Sequence, residues 1–236
     1  MFTAYLARGL KAGLVAGAAF GLFVAFVATP FIAHADAVAH GGHAHGAATP
    51  ASSLVATVTS VGGSVLWGLL AGAGFGVAFF LFEPAIPGGD GVRSYVLAAA
   101  GFVTVSGAPW LALPPVSPGV EAALPTRTRL TVYAGMMVAG LVACLLAGAA
   151  QAAAHERHGR TAGVVVGAVP LAALPLVAAL APGSPAGTTS ALSAAFRGVV
   201  VLGQVGLWAV LGGTHAWLRR RERSARRQTR AAVTAD

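Results

Sequence analysis

A short polar segment between two long apolar stretches holds most of the histidines of this chain. It contains four of the seven histidines and one aspartate: His34, Asp36, His40, His43 and His45. Neutral imidazole is the commonest protein ligand for metals such as cobalt, nickel, copper and zinc, and a carboxylate adds a hard oxygen donor. Glycines between the histidines leave the backbone free to wrap around an ion, which favours capture and release over a rigid structural site. We predict a metal site here; a solvated low-complexity loop is the alternative.

Glu83 is the one further residue that we add to the predicted metal-binding set. It ends a predicted membrane-spanning segment, and an ionisable group at membrane depth is a functional candidate by default. An interfacial anchor is the alternative for the same residue. The chain has neither an H-E-x-x-H zinc motif nor a phosphate-binding loop, so we predict no catalytic residue, no organic cofactor and no enzymatic activity. Any driving force must then come from an ion gradient, the membrane potential or a partner.

The composition is that of an integral membrane protein. Of the 236 residues, 56% are hydrophobic and only 9% are charged, and the mean hydropathy is +0.77, which is too apolar for an ordinary soluble domain. A helix needs about 20 apolar residues to cross the hydrocarbon layer. Six segments meet that requirement and predict an all-α, polytopic fold: Leu10–Ile32, Val61–Phe82, Ser94–Leu113, Leu130–Ala150, Ala162–Leu180 and Phe196–Leu218.

The basic residues are divided unevenly between the two predicted faces of the membrane. With the N-terminus inside, twelve of the fifteen lie on the cytoplasmic side and three on the outer side, as the positive-inside rule requires. Both termini are then cytoplasmic. We expect a single transmembrane domain over residues 1–236, with a histidine-rich external loop at 33–60 and a basic cytoplasmic tail at 219–236. The tail is expected to contact the anionic lipid surface rather than nucleic acid.

The first apolar segment also has features of a cleavable signal peptide. Arg8 and Lys11 precede a long apolar run that ends at Ala33-His34-Ala35, a pattern that secretory signals share. The run is longer than a usual signal core, which favours a retained helix, and cleavage stays open as the alternative. The histidines would be external in either case.

Glycines and prolines indicate how these helices pack. Glycine recurs every fourth residue from Gly9 to Gly21 in the first segment and from Gly68 to Gly76 in the second. Such stripes let helix backbones approach closely within lipid. Each proline within a segment removes a backbone donor, so we expect kinks or breaks at Pro109, Pro170 and Pro175.

Two stretches of the chain carry a resemblance to a known family. They comprise Gly101-Phe102, Ala108-Pro109, Leu113-Pro114-Pro115 and Pro118-Gly119 in and after the third segment, and Leu207-Trp208 to Trp217-Leu218-Arg219 in the last. Both are similar to the CbtA-type cobalt transporter subunit family. The resemblance implies cobalt uptake that serves cobalamin synthesis, with Co(II) as the transported ion. It also implies a small one-helix companion subunit of the CbtB type.

Together these features predict a subunit that imports Co(II) across the cytoplasmic membrane, with the histidine-rich loop as an external capture site. Imidazole affinity rises from cobalt through nickel to copper, so the histidines alone do not select cobalt. The alternative is a membrane metal-binding sensor or assembly subunit without transport activity. The translocation path and the oligomeric state stay open, a homo-oligomer included.

Overall fold

The structure of the chain is a computed structural model that describes residues 2–39, 50–116, 124–182 and 191–233. Every regular element in these ranges is helical, which confirms the predicted all-α fold. The helices are α1 (Phe2–Phe23), α2 (Thr29–Ala39), α3 (Pro50–Phe82), α4 (Arg93–Phe102), α5 (Ala108–Ala112), α6 (Thr126–Ala172), α7 (Leu174–Leu180) and α8 (Ala191–Val233). Widened π turns join α1 to α2 at Val24–Ala28 and α4 to α5 at Val103–Gly107.

All six predicted segments are helical in this structure. Five stretches of the described residues are long and apolar enough to cross a membrane: Phe2–His34, Thr57–Phe82, Arg93–Ala112, Thr126–Leu180 and Ala191–Ala225. The fourth contains two helices, because Gly159 has φ +83° and ψ −179°, a conformation that only glycine adopts easily. Beyond Gly159 the chain doubles back, since a Cβ added to Gly163 would lie 3.1 Å from the Cβ of His155. The break between the fourth and fifth predicted segments is therefore a reversal of direction.

The glycine stripes of α1 and α3 face each other and form the most extensive helix contact among the described residues. A Cβ added to Gly13 would lie 2.8 Å from the Cα of Gly72, and one added to Gly9 would lie 2.8 Å from the Cα of Gly76. No side chain fits at such distances. In lipid, close approach of two backbones supplies the dispersion contacts that hold helices together. The predicted tight packing is confirmed, and each stripe has the other as its partner.

The prolines of the first and third spans follow π turns. Before Pro109, the amide of Ala108 donates to the carbonyl of Val103, five residues earlier. The same arrangement precedes Pro30. In a regular α-helix the proline ring would clash with the carbonyl four residues earlier, and the wider turn relieves that clash. The expected interruption at Pro109 is therefore a local widening of the helix.

The two remaining prolines lie at the junction of α6 and α7. Pro170 is inside α6, two residues before that helix ends at Ala172. Pro175 lies in the first turn of α7, where the amide hydrogen that proline lacks would have no helical acceptor. The predicted interruption near both prolines is confirmed.

Buried apolar side chains form two clusters that share the third span. One cluster joins α1, α3, α4 and α8 around Phe79, Leu207 and Leu211. The other joins α5, α6 and α7 around Met136 and Leu174. Many large apolar side chains are exposed on the outer faces of the helices, as expected for helices that are surrounded by lipid.

The first, second, third and sixth spans alternate in direction, so their ends fall into two groups. Four parts of the bundle lie together: the start of α1, the end of α3, the start of α4 and the later part of α8. Ion pairs join α8 to α1 and to the end of α3, and the contact between Ser94 and His215 joins it to α4. We call this the charged end, after Arg8, Glu83 and Arg219. The opposite end of the first span carries His34 on α2, and we call it the His34 end.

Candidate functional site

Glu83 is the centre of a polar network at the charged end. It follows the last residue of α3, and its amide donates to the carbonyl of Phe79, 2.9 Å away, which extends the helical turn. One carboxylate oxygen, Oε1, lies 2.5 Å from Nη2 of Arg219 on α8. The other oxygen, Oε2, accepts a hydrogen bond from the hydroxyl of Tyr5 on α1. This carboxylate therefore connects three helices and has both oxygens occupied.

The surroundings of Glu83 favour its charged form. Its side chain is only 19% exposed, and this burial alone would raise the pKa of the carboxyl. The hydrogen bond from Tyr5 and the nearby charge of Arg219 act in the opposite direction and outweigh burial, so the pKa is lowered below its usual value of 4.5. Glu83 is therefore ionised at neutral pH.

Two further sets of ion pairs surround this centre. Nη2 of Arg8 lies 2.6 Å from Oε2 of Glu222, which joins α1 to α8. Asp90, in the connection between α3 and α4, pairs with Arg223 and lies 3.7 Å from Arg219. Removal of one partner of a buried ion pair typically costs about 3–5 kcal/mol, because the other charge is left without compensation. We expect the more buried pairs, Arg219–Glu83 above all, to hold the charged end together.

His215 lies one helical turn before Arg219 on α8 and has no exposed surface. Its Nδ1 atom is 3.0 Å from the hydroxyl oxygen of Ser94 at the start of α4. The imidazole packs against the rings of Phe75 and Phe79, with centroid distances of 5.0 and 4.6 Å. The Nε2 atom is buried and has no hydrogen-bond partner. This is a polar side chain enclosed in an apolar core with one ring nitrogen unused.

A second set of polar contacts lies deeper in the bundle, at the π turn of the third span. Pro109 has no amide hydrogen to offer the carbonyl of Val105, and the hydroxyl of Tyr133 on α6 donates to that carbonyl at 2.6 Å. In the same turn, Ser106 donates to the side-chain oxygen of Gln204 on α8 at 3.4 Å. The carbonyl that Pro109 leaves without a helical donor is thus satisfied by a neighbouring span.

The residues of the predicted metal set lie far apart or outside the described residues. His34 is exposed on α2. The backbone of Asp36 is helical in α2, and His40, His43 and His45 fall outside the described residues. Glu83 lies at the opposite end of the first span from His34, so the structure does not bring these two residues together. Within the described ranges, no group of three or more histidine, cysteine, aspartate or glutamate side chains is placed to hold a metal ion.

The ends of the predicted loop and tail are also helical. Helix α2 extends to Ala39 and α3 begins at Pro50, so only residues 40–49 separate the two helices. At the other end of the chain, α8 continues to Val233. Arg219, which the sequence places in the basic tail, is only 6% exposed and is paired with Glu83. It belongs to the core of the bundle.

The charged end contains two residues that sequence reasoning did not place in a site, His215 and Ser94. A signal for them does exist, because Ser94 begins the third predicted span and His215 lies three residues before the end of the sixth. In the predicted topology the start of the third span and the end of the sixth face the same side of the membrane, so these two residues can be neighbours. The sequence does not tell which ends are neighbours.

Apolar helical segments that run back and forth, with charged side chains gathered at one end, define a polytopic helical membrane protein. The chain belongs to the CbtA family: the family model described as "Probable cobalt transporter subunit (CbtA)" matches residues 2–220. This match confirms the resemblance seen in the third and last segments and identifies a family of transporter subunits. No curated protein and no solved structure matches the chain.

Proposed function

We propose that this chain imports Co(II) across the cytoplasmic membrane as the membrane-embedded subunit of a transporter. The family match over residues 2–220 carries the proposal. The helical bundle agrees with it, because a dication cannot enter hydrocarbon unless protein groups replace its hydration shell and balance its charge.

In the proposed orientation the charged end faces the cytoplasm and the His34 end faces outward. Arg8, Arg93 and Arg219 lie at the charged end, and basic residues favour the cytoplasmic side of a membrane. Both ends of the chain then lie inside. Helix α1 is retained in this proposal, which its packing against α3 and α8 supports.

The histidine-rich segment is the proposed capture site on the outer face. His34, Asp36, His40, His43 and His45 would bind Co(II) from outside and release it to the bundle. The exposed position of His34 on α2 supports this role. Glu83 is not part of the capture site, because it lies at the other end of the first span from His34.

The family description as a subunit supports a multi-subunit transporter. We propose a one-helix companion of the CbtB type as the partner. The energy for uptake would come from an ion gradient, the membrane potential or that partner, because the chain contains no phosphate-binding loop.

Uptake of labelled Co(II) by cells tests this proposal. The four loop histidines are replaced by alanine, and a matched control carries His155→Ala and His158→Ala, two exposed histidines beside the Gly159 turn. At low external Co(II) we expect the loop variant to lose at least about tenfold in uptake rate, since even the loss of an outer-shell partner of a metal ligand costs about that much affinity. The control should import Co(II) at the rate of the unmodified chain.

Equal uptake by all three chains would remove the loop from the mechanism. Purified protein in liposomes separates transport from binding alone. Flux of Co(II) into the liposomes, with the companion subunit present, supports the transporter. Binding without flux would instead support the alternative of a metal sensor or assembly subunit.

A further inference from the structure

We infer that His215 and Glu83 form a second binding site for a divalent transition-metal cation at the charged end, and that Arg219 competes with the cation for the carboxylate of Glu83. The site would be the last one that a cation meets before release on the inner side. The choice of cation rests on the proposed function, whereas the site itself rests on the geometry of the charged end.

The first support is the unused nitrogen of His215. A buried polar atom without a hydrogen bond costs about 1–3 kcal/mol, and its presence in a native core calls for an explanation. Nε2 of His215 is such an atom. The two ring nitrogens lie on different sides of the imidazole, so Nε2 points away from Ser94 and from α4. A neutral imidazole nitrogen with a free lone pair is a metal ligand.

The second support is the contact between His215 and Ser94. Metal-binding histidines usually donate their second ring N–H to an oxygen atom, which fixes the tautomer and the ring orientation. The distance of 3.0 Å between Nδ1 of His215 and the hydroxyl oxygen of Ser94 fits this arrangement. When Nδ1–H donates to Ser94, the lone pair of Nε2 is free to bind a cation. Ser94 is then a positioning residue.

The third support is the position of Glu83. It follows Phe79 by one turn on α3, as Arg219 follows His215 by one turn on α8. The Arg219–Glu83 pair therefore lies about 6 Å along the helix axes from the layer of His215 and Phe79, at 1.5 Å per residue. Phe79 contacts both layers, with the His215 ring at 4.6 Å and the Arg219 guanidinium at 4.4 Å. The flexible glutamate side chain, once released from Arg219, can reach towards the imidazole.

The charges of this region permit a cation when Glu83 is available. Arg8, Arg93 and Arg219 are nearby positive groups, and each has a carboxylate partner: Glu222 for Arg8, Asp90 for Arg93 and Glu83 for Arg219. Tyr5 supplies an oxygen next to Glu83. A mixed set of imidazole nitrogen and carboxylate or phenol oxygen suits a borderline metal such as Co(II). Arg219 competes for the same carboxylate, so the cation and the guanidinium would bind in turn.

The test uses the full chain purified through a histidine-free tag, with His34, His40, His43 and His45 replaced by alanine. Co(II) is titrated into this protein, and its visible absorption reports nitrogen and oxygen ligation. We expect one bound Co(II) with an imidazole signature. His215→Asn should abolish that signal. Glu83→Gln should weaken binding, and Ser94→Ala should weaken it about tenfold, as the loss of an outer-shell partner does.

Arg219→Gln is the decisive variant, because the expected effect has the opposite sign. Removal of the competing cation should tighten Co(II) binding about tenfold, comparable with the effect of one neighbouring like charge on a protonation equilibrium. A merely structural arginine would give weaker or unchanged binding, and that outcome overturns the inference. Ser94→Ala keeps every charge in place, so it provides a test even when a charge variant does not fold.

Two further outcomes separate this inference from the proposed function. If the protein without the four loop histidines binds no Co(II) while cells with the unmodified chain import it, the inner site is wrong and the transport proposal stands. If the inner site binds Co(II) in vitro while cells show no uptake, the transport proposal fails and the inner site stands. A signal that survives His215→Asn overturns the site in either case.

Discussion

The glycine contact between α1 and α3 makes a quantitative prediction about Gly72. An alanine at this position would place its Cβ 2.6 Å from the Cα of Gly13, and closer still to the carbonyl oxygen of Gly9. Carbon atoms in contact prefer a separation of about 3.5–4.0 Å. The two helices must therefore move apart by about 1 Å, and a gap of that size forfeits about a quarter to a half of each dispersion contact.

Because α1 and α3 share the most extensive contact of the described residues, we expect Gly72→Ala to be clearly destabilising. Overpacking of a close-packed interior typically costs about 1–3 kcal/mol. The measurement is the thermal unfolding midpoint of the purified protein in detergent. Gly72→Ala should lower the midpoint by several degrees and reduce the amount of folded protein in the membrane.

Gly74→Ala is the matched control, two residues along the same helix. A Cβ added to Gly74 has no atom within 4 Å, and alanine is about 0.5–1 kcal/mol better than glycine inside a helix. This variant should be as stable as the unmodified chain or slightly more stable. If Gly72→Ala unfolds at the same temperature as Gly74→Ala, the described packing of α1 on α3 is wrong.

Two other sites yield predictions of the same kind. A Cβ added to Gly101 would lie 2.6 Å from Cη2 of the buried Trp208 ring, so Gly101→Ala should lower the unfolding midpoint by an amount that corresponds to about 1–3 kcal/mol; a midpoint equal to that of the unmodified chain would show that Trp208 does not pack there. Glu83 lies just outside the second span and has a lowered pKa, so its stabilising effect should be complete above about pH 4.5 and decline as the pH falls through the folded-state pKa. Unfolding midpoints measured against pH should show a steeper decline in the unmodified chain than in Glu83→Gln, in which only the other paired carboxylates, such as Glu222 and Asp90, are left to take up protons.

The positions of the membrane-spanning helices could be predicted from the sequence, because the bilayer restricts which structures can cross it. Every backbone polar group in hydrocarbon needs an internal partner, so each apolar run of sufficient length must be a helix. The glycine stripes also predicted close packing, because a repeat of four places these residues on one face. The reversal at Gly159 could be expected from the polar residues around it, such as Glu156 and Arg157.

The network at the charged end could not be predicted, because it depends on which helix ends become neighbours. Glu83, Arg219 and His215 are far apart in the sequence, and each has an ordinary explanation when taken alone. The hydropathy of a helix does not depend on which other helix it packs against, so it does not predict which helix ends become neighbours. The histidine-rich loop is the opposite case: its composition predicts metal binding, with a low-complexity loop as the alternative, and residues 40–49 lie outside the described residues.

The ion pairs of the charged end also bear on how the chain is made. Helix α8 follows the other described helices in the chain, and it supplies both Glu222 for Arg8 and Arg219 for Glu83. Until α8 leaves the ribosome and inserts, the earlier helices carry one positive and one negative group without these partners. Insertion of α8 neutralises both at once. A product truncated before α8 would lack these two partners, so it would differ from the chain with α8 in the charges exposed at this end of the bundle.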